Sequence, residues 1–420
     1  MRVLLAEPER ESSDRYRTFI RRSQLEGLMA DWLVEGEPYL ACNAIALDPE
    51  ESALLQHLTR VFSAAFARAG AAVAQDVAAL VAMGFPWVAA ELLAAETIER
   101  PIVGRFDFVR DADGRWWLLE FNADTPSGVR EAIAVNRLVG ATLPEAARLG
   151  APNKGLADAL VAAFSEALNG LPPRSALGLV TSTNELEDLA QMAFTRDLLA
   201  GPLAELGVKV VLGDANNLRP SRKGVSLCGV PLAALYRYVP FETMLGTPPF
   251  ALIHDAVAAG HLRLLNGLGG LLLQHKGLLA WIWAHRDDLA LDTEERRAIV
   301  EHLPPTWAID SCPPDMRQKD LVAKQVFGRE GEEVYFGEDM TPAAWAMLRD
   351  RRTYVVQQRV EIGELKAVVP TSSGPIATIG YATVGCYAVR GRWAGYYTRF
   401  GDKIITSRAK WLATFVEASA

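Results

Sequence analysis

Two short runs, Arg105-Phe106-Asp107-Phe108-Val109 and Trp116-Trp117-Leu118-Leu119-Glu120-Phe121-Asn122, flank Asp113-Gly114. An Asp-Gly pair between two alternating apolar runs is a strong hairpin signal. With Asp113-Gly114 as a two-residue turn, Ala112 pairs with Arg115. The ladder then sets Asp107 opposite Glu120 and Arg105 opposite Asn122. Side chains alternate along a strand, so these four share one face, and Phe106, Phe108, Leu119 and Phe121 share the other. Directly opposed Cβ atoms lie roughly 4.5–5.5 Å apart, where two carboxylates repel and call for a cation. Arg105 supplies one charge. Two carboxylates and an amide carbonyl form an all-oxygen set suited to Mg²⁺. Acids splaying into water from a solvated face read the same way, and a three-residue loop would shift the register.

Asn122-Ala123-Asp124-Thr125-Pro126-Ser127 runs into an expected helix over about 126–138, with Thr125 as cap and Pro126 at its first position. A helix start there favours an anion, although ordinary capping explains Thr125 equally. Lys324-Gln325-Val326-Phe327-Gly328-Arg329-Glu330-Gly331 reads as a strand entering a glycine-punctuated loop. Glycine allows close backbone approach to a phosphate and a strand lysine neutralises one, but many such loops are plain hairpins. Lys276 stands between Leu273 and Leu278 in an apolar helical stretch, where a lysine ordinarily snorkels to solvent. Neither a G-x-x-x-x-G-K-[ST] nor a strand-linked G-x-G-x-x-G pattern is present, no cysteine sits in a nucleophile motif, and the histidines are scattered.

The elements that must carry these residues form an alternating pattern. Residues 49–95 read as helices broken at Gly84-Phe85-Pro86, followed by strands over 103–109 and 116–121. A helix over 151–173, a buried strand over 177–181, a helix over 185–203, and strands over 208–212 and 232–238 suggest an α/β lobe. From Leu321 onward strand-like runs dominate, at 321–327, 334–336, 354–360, 376–384, 387–390 and 395–398.

The chain has 420 residues, enough for two or three lobes, and carries 43 Lys/Arg against 51 Asp/Glu for a net charge of −8. That balance disfavours a general nucleic-acid binder. From Arg349 onward, however, 11 Lys/Arg stand against 5 Asp/Glu. This excess suits a lobe facing a polyphosphate, and equally a set of solvated faces. Four scattered cysteines rule out a disulfide framework or clustered zinc site and fit a reducing compartment. No signal peptide or membrane span is visible, so a cytoplasmic location without a membrane partner is expected.

Gly104-Arg105-Phe106-Asp107-Phe108, followed by Leu118-Leu119-Glu120-Phe121-Asn122-Ala123-Asp124-Thr125-Pro126, resembles the glutathionylspermidine synthase family, whose fold belongs to the ATP-grasp group. Further matches follow in the same order: Lys276 in His275-Lys276-Gly277-Leu278-Leu279, Gly328-Arg329-Glu330-Gly331, Tyr354-Val355-Val356-Gln357, then Gly391, Ala394-Gly395, Arg399 and Ile405-Thr406. Glu120-x-Asn122 precedes Lys276 and Lys324, the permuted order of this family. The resemblance implies an α/β (α+β) chain, with an ATP-grasp-like fold in permuted motif order and a pre-ATP-grasp-type α/β lobe. It implies a helical segment and metal-binding hairpin over 1–150, a substrate-side lobe over 151–265 and an ATP-binding lobe over 266–420.

The implied activity is Mg-ATP-dependent amide ligation, a carboxylate of an amino acid or small peptide being activated as an acyl phosphate for attack by an amine. The resemblance places Mg²⁺ on Asp107, Glu120 and Asn122, and ATP on Lys276, Lys324, Gly328, Arg329, Gly331 and Gln357. Arg105 and Arg399 would steady the transferring phosphoryl group, and Thr125, Ser127 and Glu131 fall on the substrate side. The family's Thr-Pro-Thr-Ser-Leu reads Thr125-Pro126-Ser127-Gly128-Val129, its Tyr-Pro-Trp-Glu reads Val239-Pro240-Phe241-Glu242, and the proline after the loop lysine is Gln325. Most of these departures lie toward the substrates, so the resemblance does not carry glutathione and spermidine over to this chain. The amidase domain fused to some family members is not expected here, nor is hydrolysis of the product. A non-catalytic nucleotide binder and a ligase acting on a carrier protein's bound substrate remain alternatives, and a homodimer is compatible with the sequence.

Overall fold

The computed structural model describes residues 1–418 apart from 10, 11, 29–31, 223, 289, 330, 350 and 352, so Glu330 of the glycine loop lies outside the described residues. An eight-stranded central sheet runs in the order Arg2–Val3, Leu40–Leu47, Lys410–Val416, Arg392–Gly401, Gly374–Val389, Val103–Arg110, Trp116–Asn122, with Leu365–Thr371 also paired to Gly374–Val389. The strands after residue 364 thus join a sheet begun by residues 2–122, across the boundary expected at 266. Lys410–Val416 lies parallel to Leu40–Leu47 and antiparallel to Arg392–Gly401. Expected breaks at 385–386 and 391–394 give instead one long strand to Val389 and a second from Arg392.

One face of this sheet is covered by the helix Pro49–Ala74. Pro49 stands at its first position, and Asp48 and Glu51 form a reciprocal capping box. Its Phe62 and Phe66 meet Phe106, Phe108 and Phe121 of the hairpin, and Phe106 stacks on Phe121 with centroids 3.8 Å apart. All five rings are buried. Completely burying one phenylalanine contributes about 1.5–3 kcal/mol, so this layer fixes the hairpin's apolar face and turns its charged face away from the helix.

A second, parallel sheet is ordered Arg263–Leu265, Ala234–Arg237, Ser175–Thr181, Val208–Asp214, with the helix Leu186–Glu205 crossing between its last two strands. A third, antiparallel sheet is ordered Thr306–Ala308, Tyr354–Gln358, Leu321–Gln325, Val334–Phe336 and places Lys324 next to the hairpin. Among the described residues no helix is long and apolar enough to cross a membrane.

Candidate active site

The hairpin pairs Asp107 with Glu120 and Arg105 with Asn122, but by a different route from the two-residue turn. The loop has three residues between Asp111 and Arg115, whose backbones bond at 2.9 Å. That would offset the pairing by one. An irregularity between Asp107 and Phe108 restores it, because Phe108 faces Leu118 and leaves Leu119 as the extra residue of a bulge. Leu118 consequently joins the core, and Leu119, expected there, lines a cleft instead.

Arg105 and Asp107 are both buried, and the guanidinium meets the carboxylate through two parallel bonds of 2.6 and 2.8 Å. Burial opposes the charge of Arg105, yet Asp107 holds its pKa well above the usual arginine value. A third arm of Arg105 donates to the Ser127 carbonyl at 2.9 Å, and Tyr397 covers its flat face at 4.6 Å. Asn122 donates its amide to Asp107 Oδ2 at 3.0 Å. Among the described residues its own carbonyl oxygen accepts no hydrogen bond.

Glu120 faces two lysines delivered by different elements. His275 ends the helix Leu268–Gln274 and caps the next, Lys276–His285, by accepting from the Gly277 N–H at 3.1 Å. Lys276 therefore stands at a helix start rather than within one continuous helix, and it is buried. A cation there is opposed by the helix dipole, which favours a nearby anion. Lys276 Nζ lies 3.4 Å from Glu120 and donates to the Gly328 carbonyl at 2.6 Å. His275 is packed between Phe85 and Phe327; burial, then Lys276, bring its pKa to about 3, so it stays neutral.

Lys324 Nζ donates to Gln357 Oε1 at 2.7 Å, and Gln357 donates onward to Thr306 at 2.9 Å. Both ends of the Gln357 amide are thus engaged in setting Lys324. Burial draws Lys324 down to about 8, against the pull of Glu120. Burial likewise disfavours the Glu120 carboxylate. Lys276 nonetheless prevails, with Lys324, Arg399 and Arg105, and Glu120 is held at about 2.

Two cavities meet at this point. A cleft of about 840 Å³ has an apolar side of Leu119, Val322, Val334, Phe336, Val360 and Ile362, and a polar end of Asp107, Glu120, Lys276, Lys324 and Arg399. Gly328 and Gly331 line its loop wall, and Gly331, at φ +75°, approaches so closely that a Cβ would lie 2.6 Å from the Ile405 carbonyl. A larger basin of about 1700 Å³ is lined by Arg105, Asn122, Thr125, Ser127, Tyr238 and Arg329, and shares Glu120, Lys276, Gly328 and Arg399 with the cleft. Ser182 and Tyr238 reach it from the carboxyl ends of parallel strands, the customary ligand edge of such a sheet.

Several site expectations change in detail. The helix expected from Pro126 begins at Val129, because Gly128 adopts φ +86° against the Tyr397 ring. Thr125 accordingly caps nothing and receives Arg329 Nη1 at 2.9 Å. Arg329, expected on the nucleotide, lines the basin and not the cleft. Glu131 is buried, paired with Arg130 at 2.7 Å, and lines neither cavity. Three residues outside those expectations complete the frame. Arg237 and Asp124 form a fully buried pair, Asp124 also accepts the Phe241 N–H at 3.1 Å, and Asn266 donates to the carbonyls of Val103 and Ala123. An arginine in a strand, with no local partner, gives no sequence signal of that role.

A carboxylate hairpin and a lysine-bearing antiparallel sheet closing on one cleft define an ATP-grasp-like protein with permuted order. The chain belongs to the family described as "Glutathionylspermidine synthase preATP-grasp", which matches residues 18–417. It is similar to a putative glutamate–cysteine ligase of Frankia alni, with 30% identity over 189 residues, 42% of this chain and 21% of that one. A second putative glutamate–cysteine ligase, from Frankia casuarinae, is 28% identical over 286 residues, 63% of this chain and 32% of that one. These alignments take in between a fifth and a third of the relatives' length. The fold matches a glutathione synthetase-like effector from Globodera pallida with a TM-score of 0.68, 14% identity and 98% coverage of both chains.

Proposed function

We propose that this protein is a Mg-ATP-dependent ligase that joins a carboxylate of an amino acid or small peptide to an amine. The observation carrying this reading is the junction of the two cavities at Glu120, Lys276, Gly328 and Arg399. A nucleotide in the cleft brings its terminal phosphate to the place where the basin delivers an acid. The apolar side suits a purine, while Lys276, Lys324 and Arg399 give the polar end a positive charge suited to polyphosphate. Asp107, ionised Glu120 and the Asn122 carbonyl would hold Mg²⁺; this all-oxygen set fits a hard cation. Bound there, Mg²⁺ would neutralise phosphate charge.

The chain's own groups account for the rest of the chemistry. A carboxylate oxygen from the basin attacks the γ-phosphorus, ADP departs, and an acyl phosphate forms. Lys276, Lys324 and Arg399 hold the charge that moves between the phosphoryl oxygens, the electrostatic positioning on which such transfers depend. The amine nitrogen then attacks the acyl carbon, phosphate leaves with the bonding pair, and the nitrogen loses its proton. Arg105, immobilised by Asp107 and Ser127, lines the basin beside the junction and holds Asp107 in place. The named relatives support an amino acid or small peptide as the acid.

ADP release with Mg-ATP across a matrix of small acids and amines tests the reading. ADP formation that requires both partners is the expected result. Absence of Mg-ATP binding overturns it.

A further inference from the structure

We infer that Arg329 is a positioning residue that fastens the Gly328–Arg329 backbone to the wall of the substrate basin, and so fixes the Gly328 carbonyl that holds Lys276. Its role in turnover rests on the ligase reading; the fastening itself does not. The loop leaves the lysine strand after Gln325 and returns at Val334. On the cleft side, Lys276 holds the Gly328 carbonyl at 2.6 Å and Gly331 abuts Ile405.

On the opposite side, the next residue, Arg329, spreads its planar guanidinium over three oxygens. Nε donates to Glu242 at 2.6 Å, Nη1 donates to Thr125 at 2.9 Å, and Nη2 lies 3.6 Å from Asp124. These partners have different origins. Asp124 and Thr125 continue the chain directly from Asn122, while Glu242 follows Val239-Pro240 of the basin wall. Asp124 cannot yield, being fully buried and bound to Arg237 and the Phe241 N–H.

Gly328 and Arg329 are adjacent, so the two tethers act on one stretch of backbone. A shift of Arg329 moves the Gly328 carbonyl, and with it the partner that holds Lys276 near Glu120. Lysine at 329 reaches only part of this set, because an ammonium lacks the fixed fork of a guanidinium.

Hydrogen exchange of the amides over 326–334 tests the fastening directly in Arg329→Gln, Arg329→Lys and Glu242→Gln proteins. Losing charge-assisted hydrogen bonds of this kind should make exchange at least about tenfold faster in Arg329→Gln and Glu242→Gln, with Arg329→Lys between them and wild type. Mg-nucleotide affinity should weaken in the same order. Unchanged loop exchange in both Arg329→Gln and Glu242→Gln overturns the inference. Wild-type protein that fails to bind Mg-ATP would sink the ligase reading while the exchange data still decide the fastening.

Discussion

The cleft and the basin share a wall but treat charge in opposite ways. Of the arginines that line only the basin, Arg105 is matched by Asp107 and Arg329 by Glu242, and the buried pairs Arg237–Asp124 and Arg130–Glu131 lie outside both cavities. At the polar end of the cleft, Lys276, Lys324 and Arg399 converge on the single carboxylate Glu120, with Asp107 already committed to Arg105. Like charges gathered in a buried place are unfavourable unless an anion completes the set. On the proposed reading the cleft is organised for an external polyanion, whereas Arg105 and Arg329 set the basin's geometry.

The sharpest test removes the carboxylate at the centre of that contrast. Glu120→Gln should lower ligase turnover by roughly 10²–10³-fold, the range for losing one electrostatic contact in the transition state. Metal-free nucleotide affinity should rise, since the phosphates no longer face a negative group. Calorimetry with EDTA present separates the effects. A parallel loss of metal-free affinity would show that Glu120 acts by supporting the lysines instead.

Gly128→Ala acts on the basin side, through Tyr397 and the Arg105 it covers. Its φ of +86° is strained for alanine, and the added Cβ would meet Tyr397 Cε2 at 2.1 Å. Tyr397 covers Arg105 and bonds to Tyr39 at 2.7 Å, so it has little freedom to retreat. Overpacking of this type costs about 1–3 kcal/mol, measurable as a lower urea midpoint. The KM for the acid should rise while nucleotide affinity holds; equal losses at both would erase the distinction between the two cavities.

The two regions also differ in how much the sequence discloses. The hairpin is local, and Asp-Gly with alternating aromatics suffices to pair Asp107 with Glu120. That pairing survives because the longer loop and the bulge at Leu119 cancel. Lys324 and the glycine loop are legible for the same reason, while Lys276 is legible by type but not by position, since the break at His275 carries no proline and Gly277 alone, inside the new helix, does not mark it. The basin is assembled from distant segments. Asp124 meets Arg237 across 113 residues, and Arg329 meets Glu242 across 87. Periodicity carries nothing about such pairs. The central sheet hides its closure similarly: Leu40–Leu47 is buried throughout, so it lacks the alternation that marks a half-exposed strand.

The pH response sharpens the comparison further. In the ligand-free cleft, burial lowers Lys324 from 10.5 to about 8, with Glu120 opposing and Lys276 assisting. The folded state then binds fewer protons than the unfolded chain between those values, so this residue makes ligand-free stability rise with pH across that window. Nucleotide binding has the opposite sign, because phosphate favours the charged ammonium. Affinity should be level below pH 8 and fall by up to about tenfold per unit above it, with proton uptake on binding, as expected for one linked group. Calorimetry in buffers of different ionisation enthalpy detects that proton. Lys324→Arg should flatten the profile, since a guanidinium stays charged throughout this range. A slope that persists in Lys324→Arg would assign the titration to another group and weaken the case that the lysine sheet supplies the adjustable charge.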